Sequence, residues 1–571
     1  MNKKFNPFQL DHTYNETVFK HDLIAGLTLF VMLIPQSMAY AMLAGLPPVM
    51  GLYASTIPLI IYAFFASSKH LSVGPVAITS LLVFSGVSIY AEPGSGEYIT
   101  IALTLAMMVG VIQLLLGVLN GGFVVKFIPQ SVMSGYTTAA AIIIGLSQLK
   151  HLLGIDVGNY LQIHLLFLDI VDNMNGIHLT TLAVGLVSVI GLLVLGKLYP
   201  RLPSALIIVV GAIGAVMLFR LDELGLQTIG HIPQGFPGLT IPNFSIQTIQ
   251  MLFPMALTIA LLGFMESLAI SQTIAQKENY KIYPNKELRA LGLANIIGSF
   301  FHSFPVNGSY SRTAVNHEAG GRTQVTSIIT AASVIITVLF FTSLFYYLPN
   351  AVLASIIIVA IYKLIDFKTM VYLFNIKPLE GWIWLITLLV TLFVGIQWGI
   401  IIGAIFTLVL IIIKSAKPNI VQLGYVKDEK TFRDIKWYPN AVTSQEVLIV
   451  RIDSSLHFAN IAFFEEKIKI NTQKNKNIQW IIADMSGVND IDTVSIKKLE
   501  EMIISYQKKR DITVIFANMK GDIRDLVNTA GWDVKFKEQE NHLTLEQLIK
   551  AKGLVSYFYQ PEQKSAEDYS I

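Results

Sequence analysis

From Leu23 to Lys414 the sequence is one apolar run after another, each roughly 20 residues long and separated by short polar joints. A helix rises ~1.5 Å per residue, so a run of that length spans the ~30 Å hydrocarbon layer of a bilayer. Runs begin near Leu23, Gly51, Pro75, Ile99, Ile128, Thr180, Ala205, Leu252, Leu288, Ser309, Thr323, Pro349, Trp382 and Trp398, which predicts about fourteen spans, several of them short or broken. Charge is correspondingly scarce, at 14% of residues against ~25% in soluble domains. The absence of cysteine excludes disulfides, thiolate metal sites and thiol nucleophiles. A net charge of +3, spread between the runs, excludes a nucleic-acid surface.

Near Pro418 the apolar runs give way to ordinary globular sequence. The expected organisation is a polar cytoplasmic segment without a cleavable signal (1–22), a transmembrane domain (23–418), a linker (419–440), a soluble domain (441–560) and a short tail (561–571). Lys69, Lys126, Lys197, Arg201, Lys277, Lys281 and Arg322 all follow even-numbered spans, whereas odd-numbered loops hold only Lys150 and Arg220. Basic loops stay cytoplasmic, so both termini are placed in the cytoplasm of a multi-pass plasma-membrane protein.

Three short internal matches indicate a duplication. Gln36-Ser-Met-Ala-Tyr40 resembles Glu266-Ser-Leu-Ala-Ile270, and Gly74-Pro-Val76 resembles Phe304-Pro-Val306 at the same offset. At a nearby offset, Ile128-Pro-Gln-Ser-Val-Met133 resembles Leu348-Pro-Asn-Ala-Val-Leu353. These pair spans one with eight, three with ten and five with twelve, the order of a seven-plus-seven repeat. An odd number of spans per unit inverts the second copy, and inverted halves are a transporter architecture with the substrate between them.

The third and tenth spans both open with helix-breaking sequence, Ser72-Val-Gly-Pro75 and His302-Ser-Phe-Pro-Val-Asn-Gly-Ser-Tyr-Ser311. Irregular backbone at membrane depth is tolerated where it is buried in protein or lines a cavity. Helices starting there direct free N–H groups and the positive ends of their dipoles at the midplane, a setting for an anion. Pro75 suits a first helical position, and Ser309 or Ser311 a cap or ligand donor. The alternative is that these prolines and glycines only kink or close-pack the helices. Gln36, Glu266 and Arg312 lie inside apolar segments, where polar groups usually face a cavity. Arg312 either strengthens the positive field at the helix ends or snorkels to the interface. Glu266 is either a proton-coupling carboxylate, whose protonated form tolerates a neighbouring anion, or a structural partner of Arg312. Gln36 and Tyr40, opposite by pseudo-symmetry, offer hydrogen bonds without charge.

Several of these stretches resemble the sulfate permease (SulP) family, to which prestin and pendrin are related. Pro48-Val-Met-Gly-Leu-Tyr-Ala-Ser55, continuing to Ser67-Ser-Lys69, is similar to its second-span signature, with Met50 where a tyrosine is usual. Gly263-Phe-Met-Glu-Ser-Leu-Ala-Ile270 and Asn307-Gly-Ser-Tyr-Ser-Arg-Thr-Ala-Val-Asn316 resemble the eighth- and tenth-span motifs. The resemblance implies a core domain moving like an elevator against a gate domain. It places the anion beside Pro75, Val76, Ser309, Ser311 and Arg312, with Gln36 and Tyr40 adjacent. It also implies a proton-coupling role for Glu266; sodium is disfavoured because Ile270 offers no oxygen where a sodium-coupled branch places a threonine. A small inorganic or carboxylate anion is the implied substrate, sulfate first and then bicarbonate or dicarboxylates, carried by a homodimer without a cofactor. An anion channel or a nucleobase carrier of the same fold is the alternative, while no metal-ligand, nucleophile-elbow or phosphate-loop motif suggests an enzyme.

In the tail, Val447–Ile452, Trp480–Asp484 and Ile512–Phe516 read as buried strands alternating with the amphipathic stretches Asn460–Ile470 and Thr493–Lys508, an α/β pattern. Phe458-Ala-Asn460, Asp484-Met-Ser-Gly487 and Asp490-Ile-Asp-Thr493 resemble landmarks of a STAS domain, which implies a cytoplasmic regulator as partner. Thr493 aligns with a phosphoacceptor position of related domains, but Asp492 or Thr493 also suits a plain helix cap.

Overall fold

The computed structural model describes residues 14–123, 129–158, 160, 162–199, 203–536 and 541–558. Ile128, Lys126, Arg201, most of the 1–22 segment and the 561–571 tail lie outside them. The chain divides into two units, Met1–Thr407 and Leu408–Ile571.

The first unit is helical. Its elements are α1 Glu16–Leu43, α2 Pro48–Tyr53, α3 Ile57–Phe65, β1 Val73–Gly74, α4 Ala77–Val87, α5 Gly96–Val118, α6 Gln130–Leu153, α7 Ile163–Asp172, α8 Leu179–Leu198, α9 Ser204–Phe219, α10 Ile246–Lys277, α11 Pro284–Ser299, β2 Asn307–Gly308, α12 Tyr310–Glu318, α13 Val325–Phe340, α14 Asn350–Tyr362, α15 Phe367–Ile376, α16 Pro378–Phe393 and α17 Ile396–Ala416, the last running into the second unit. Every predicted span coincides with a helix, the second with the broken pair α2 and α3. Two short helices, α7 and α15, were not anticipated. At ten residues each, their apolar patterns are too short to register as spans. Among the described residues, eight helices are long and apolar enough to cross a membrane and four more are apolar but shorter. Leu179, Val187, Leu218 and Phe219 on α8 and α9 are exposed apolar side chains, as a lipid-facing surface requires.

Packing follows the duplication. α1 lies against α13 as α10 lies against α5, and α6 lies against α16 as α14 lies against α8. α5 meets α11 as α13 meets α3, while α3–α11 and α6–α14 are contacts of equivalent spans with each other. Exchanging the two halves therefore maps contacts onto contacts, which is the signature of the inverted repeat. It also divides the helices into a core (α1–α5, α10–α13) and a gate (α6–α9, α14–α17). Small residues allow the tightest crossings. A Cβ on Gly110 would lie 2.7 Å from the Gly292 carbonyl oxygen, and one on Gly292 2.8 Å from that of Gly110, so α5 and α11 touch backbone to backbone.

The second unit contains a five-stranded sheet of order β4-β3-β5-β6-β7, made of β3 Ile420–Val426, β4 Thr431–Asp434, β5 Val447–Ile452, β6 Trp480–Asp484 and β7 Thr513–Ala517. β5, β6 and β7 are parallel; β3 and β4 join antiparallel. Alternate residues face opposite layers. Leu448, Val450, Ile481, Val514 and Phe516 pack with Phe464, Ile468, Leu499 and Met502 of α18 Ile461–Lys474 and α19 Thr493–Arg510. Val447, Ile449, Ile482 and Ile515 pack with Leu545, Leu548 and Ile549 of α22 Leu545–Ala551, which follows α20 Gly521–Thr529 and α21 Trp532–Lys535. Residues 419–440, expected to be a linker, are instead part of this domain. Ile420, Val421 and Gln422 pair with β5 and Leu423 to Val426 with the edge strand β4, burying Val421, Leu423 and Tyr425.

Candidate functional site

α4 has eleven residues and α12 nine, roughly 16 and 14 Å long and about half the hydrocarbon thickness. Each is preceded by a two-residue strand. β1 and β2 pair antiparallel, Val73 opposite Gly308 and Gly74 opposite Asn307, so the two half-helices start from one crossing point. Ser309 N–H donates to the Ser72 carbonyl at 3.0 Å, and Ser72 N–H donates to Thr313 Oγ at 3.1 Å, fastening the strands to α12.

Neither helix start is capped by a side chain. Val76 and Ser309 occupy the N-cap positions in extended conformation, and Ser309 Oγ instead shares a 3.3 Å hydrogen bond with Ser311 Oγ. The first-turn N–H groups of Ala77, Ile78 and Thr79, and of Tyr310, Ser311 and Arg312, therefore lack helical acceptors. Pro75 is two residues ahead of the first helical residue rather than at it, and its buried carbonyl serves as a hydrogen-bond acceptor. Arg312, fully buried, reaches across from α12 and donates from Nη1 to the Pro75 oxygen at 2.9 Å. Gly74 makes room for it: at φ +154 a Cβ there would lie 3.2 Å from Arg312 Nη2.

The remaining guanidinium groups of Arg312, Nε and Nη2, are buried with no hydrogen-bond partner, and among the described residues no carboxylate forms a salt bridge with it. An uncompensated buried cation is costly unless an anion joins it. Tyr40 lies close enough to interact with it electrostatically. One turn earlier on α1, Gln36 is buried with its Oε1 unpartnered. Ser309 is buried and Ser311 exposed, so donors are present on both sides of the helix start. Glu266 is half-buried on α10, and among the described residues no ion pair or hydrogen bond joins it to Arg312. Its electrostatic neighbour is Tyr136 of the gate helix α6, whose buried hydroxyl is also unpartnered.

Several positioning residues were missed from the sequence. Asn295 of α11 accepts from Val306 N–H at 2.8 Å, donates to Val306 O at 3.1 Å and reaches Gln113 of α5 at 3.1 Å, so it brackets the strand ahead of β2. Ser267, next to Glu266, accepts from Gly308 N–H at 2.8 Å. Asn307 donates to Thr79 Oγ1 at 2.8 Å, joining one broken helix to the other. Gly263 lies so near Asn307 that a Cβ would come within 2.0 Å of its Nδ2. The available signal was the presence of amide side chains inside apolar spans, which was followed only for Gln36. In the second unit Thr493 is the exposed first residue of α19, and Asp492 is its cap, accepting from Ser495 N–H at 2.8 Å and Phe458 N–H at 2.7 Å.

Comparison with known proteins adds three findings. The sulfate permease family profile matches residues 19–387 and the STAS domain profile residues 438–547. Sulfate transporter 4.1, chloroplastic, of Arabidopsis thaliana is 35% identical, over 92% of this chain and 79% of its own. High affinity sulfate transporter 1 of Stylosanthes hamata is 33% identical, over 88% and 79% respectively. The solved inward-facing structure of the murine Slc26a9 anion transporter superposes with a TM-score of 0.86 at 26% identity, covering 96% of this chain and 97% of that one.

Proposed function

The chain belongs to the sulfate permease family, and on that premise we propose that it takes up sulfate together with protons by an elevator-type alternating-access mechanism. It is a multi-pass membrane transporter of anions, not an enzyme. The observation that carries the finer reading is the buried Arg312, two of whose N–H-bearing nitrogens are unfilled beside two uncapped helix starts. A tetrahedral dianion supplies several oxygens at once, and a planar guanidinium is suited to binding them in pairs. Gln36, Tyr40, Ser309 and Ser311 complete the donor set without adding charge.

Glu266 supplies the coupling. A carboxylate near the anion repels it, so the loaded carrier takes a proton at Glu266 and releases it with the substrate. Facing Tyr136 across the core–gate boundary, Glu266 changes its surroundings when the core slides, which ties proton exchange to the movement. In this reading the protein is a homodimer in the plasma membrane with both termini cytoplasmic, and the C-terminal unit receives regulatory partners. Protons are favoured over sodium as coupling ion because Ile270 offers no oxygen.

The test is labelled sulfate uptake into liposomes holding the purified protein, with and without an inward proton gradient, for native protein and Glu266→Gln. Gradient-driven uptake that becomes gradient-independent in the variant is expected. Uptake by native protein that ignores the gradient overturns proton coupling; bicarbonate or fumarate accumulating in place of sulfate replaces the substrate and leaves the site intact.

A further inference from the structure

Trp437 and Phe458 of the second unit are each 73% exposed, although rings of that size are well buried in most soluble domains. Neither belongs to a core of the sheet, and the transport site uses neither.

The strand register places both at one end of the sheet. The closing turns of α17, from Leu408 on, belong to this unit, and after Lys417, Pro418 and Asn419 the chain enters β3. β4 returns antiparallel along β3, with Leu423 opposite Asp434, and Ile435 N–H donates to the Gln422 carbonyl at 3.2 Å. The chain then turns round and comes back to pair Val442 with Tyr425. Residues 436–440 are therefore the tip of a loop directed at the start of β3, where α17 ends. Phe458 reaches the same end from the β5 side. Asp453 N–H donates to the Asn419 carbonyl at 3.1 Å, His457 Nε2 shares a 2.9 Å hydrogen bond with Ser415 Oγ in the last turn of α17, and Asn460 Nδ2 donates to the Ser415 carbonyl at 3.3 Å.

A membrane surface lies at this end. α17 has 21 residues, ~32 Å of helix, which matches the ~30 Å hydrocarbon layer. Ile411, Ile412 and Ile413 are exposed apolar side chains near its close, and Lys414 and Lys417 follow where hydrocarbon gives way to headgroups. A residue bonded to Ser415 is thus at headgroup depth, and Phe458 is its neighbour. The charges around the rings are mixed. Lys436 Nζ lies 5.4 Å from the centre of the Trp437 ring and the Arg433 guanidinium 5.6 Å from that of Tyr438, but Arg433 pairs with Glu429, and Asp434, Asp453 and Asp492 stand in the same loops. Ring surface rather than charge marks this end, and Trp and Tyr are the side chains that settle at a membrane–water boundary.

We propose that Trp437, Tyr438 and Phe458 place their rings among the headgroups of the bilayer that α17 leaves, so that this end of the C-terminal domain docks on the phospholipid surface. Lys417 to Asn419 is a short tether held by few hydrogen bonds, and the rings add points of attachment on either side of it. A zwitterionic surface suffices, because charge is not what recognises it.

The chain contains no cysteine, so one introduced thiol carries one label. In the full chain an environment-sensitive fluorophore is attached at Asn440→Cys, on the loop tip, or at Asp428→Cys, in the β3–β4 turn about 20 Å away at the far end of the hairpin. Each sample is held in phosphatidylcholine nanodiscs with and without phosphatidylcholine bearing a nitroxide on its headgroup. Expected are a loss of fluorescence at Asn440→Cys, none at Asp428→Cys, and a fall of the Asn440→Cys loss to the Asp428→Cys level when Trp437→Ser and Phe458→Ser are added. Both rings are exposed, so that variant should unfold at the native temperature. Equal quenching at the two labels, or quenching at Asn440→Cys that survives loss of the rings, overturns the proposal. So does an Asn440→Cys label that escapes the nitroxide lipid yet is shielded from aqueous iodide, since a protein surface then covers the rings. No transported ion enters the readout, so the result is independent of the sulfate assay.

Discussion

Among the described residues of the membrane unit Asp22, Glu287 and Arg312 are fully buried charges, and the last two are provided for in opposite ways. Glu287, on α11, accepts from Tyr62 OH at 2.5 Å, from Ser67 N–H at 2.6 Å and Oγ at 2.5 Å, and from Ser68 N–H at 2.8 Å. Among the described residues the Arg312 side chain, on α12, finds one hydrogen-bond partner, and Nε and Nη2 are left empty. Both ions cost several kcal/mol to take out of water. Around Glu287 the protein itself restores the lost hydration, so the charge fastens α11 to the α3–β1 loop. Around Arg312 the compensation is incomplete, and the deficit has the sign and shape of an oxyanion. Burial alone does not distinguish a structural charge from a working one; the count of unfilled donors does.

That contrast breaks first at Glu287. Replacing it with leucine strands a tyrosine hydroxyl, a serine hydroxyl and two backbone N–H groups in the interior. Removing one member of a buried charged network costs about 3–5 kcal/mol, so Glu287→Leu should unfold at a markedly lower temperature or fail to assemble in detergent. Glu287→Gln, which keeps one acceptor oxygen, should lie between. A leucine variant with native thermal stability would mean that the carboxylate is not the fastening.

Arg312 should respond in the reverse sense. Arg312→Gln removes a poorly compensated ion, so the empty protein should unfold no earlier than the native chain. Its loss appears only with ligand: charge-assisted hydrogen bonds are worth about 1.5–3 kcal/mol, so sulfate affinity should fall by roughly ten- to a hundredfold. Thermal unfolding with and without sulfate measures both quantities on one sample. If Arg312→Gln destabilised the empty protein as severely as Glu287→Leu does, the two charges would be alike and the distinction between them would fail.

The sequence exposed Arg312 and concealed Glu287 for a physical reason. Arg312 follows Ser-Tyr-Ser immediately after a proline- and glycine-rich break, where an unusual residue stands out against apolar neighbours. Glu287 lies in Pro284-Asn-Lys-Glu-Leu-Arg, a polar joint between spans that reads as an ordinary exposed turn. Only the fold brings Tyr62, Ser67 and Ser68 to it from more than two hundred residues away. The same distance hid Asn295, whose target is a strand that exists only because α4 and α12 begin together. Spans, the inverted repeat and the crossing were legible because lipid demands long apolar helices and penalises any break. β3 and β4 were not, because an edge hairpin next to a charged loop carries a weaker alternation than the buried parallel strands.

A charge met in the same manner as Glu287, but at a water-exposed helix start, sets the lower end of the scale. Asp492 accepts from Ser495 N–H at 2.8 Å and Phe458 N–H at 2.7 Å. Partial burial raises its carboxyl pKa, but those two backbone donors outweigh it, so the folded value lies below the ordinary one. Stability from this cap is therefore complete above the unfolded carboxyl pKa of about 3.9 and fades as pH falls through the lower folded value. Asp492→Ala should cost about 1 kcal/mol at neutral pH, the usual value of an N-cap, and should remove that acid sensitivity from the first turn of α19. Hydrogen exchange at Thr493 to Ile496 in the full-length protein reads the effect locally. The expected effects decrease from Glu287, on stability, through Arg312, on sulfate affinity, to Asp492, on stability, where water access softens the loss. An Asp492 variant as damaging as Glu287→Leu would show that solvent does not soften the loss of a satisfied carboxylate here.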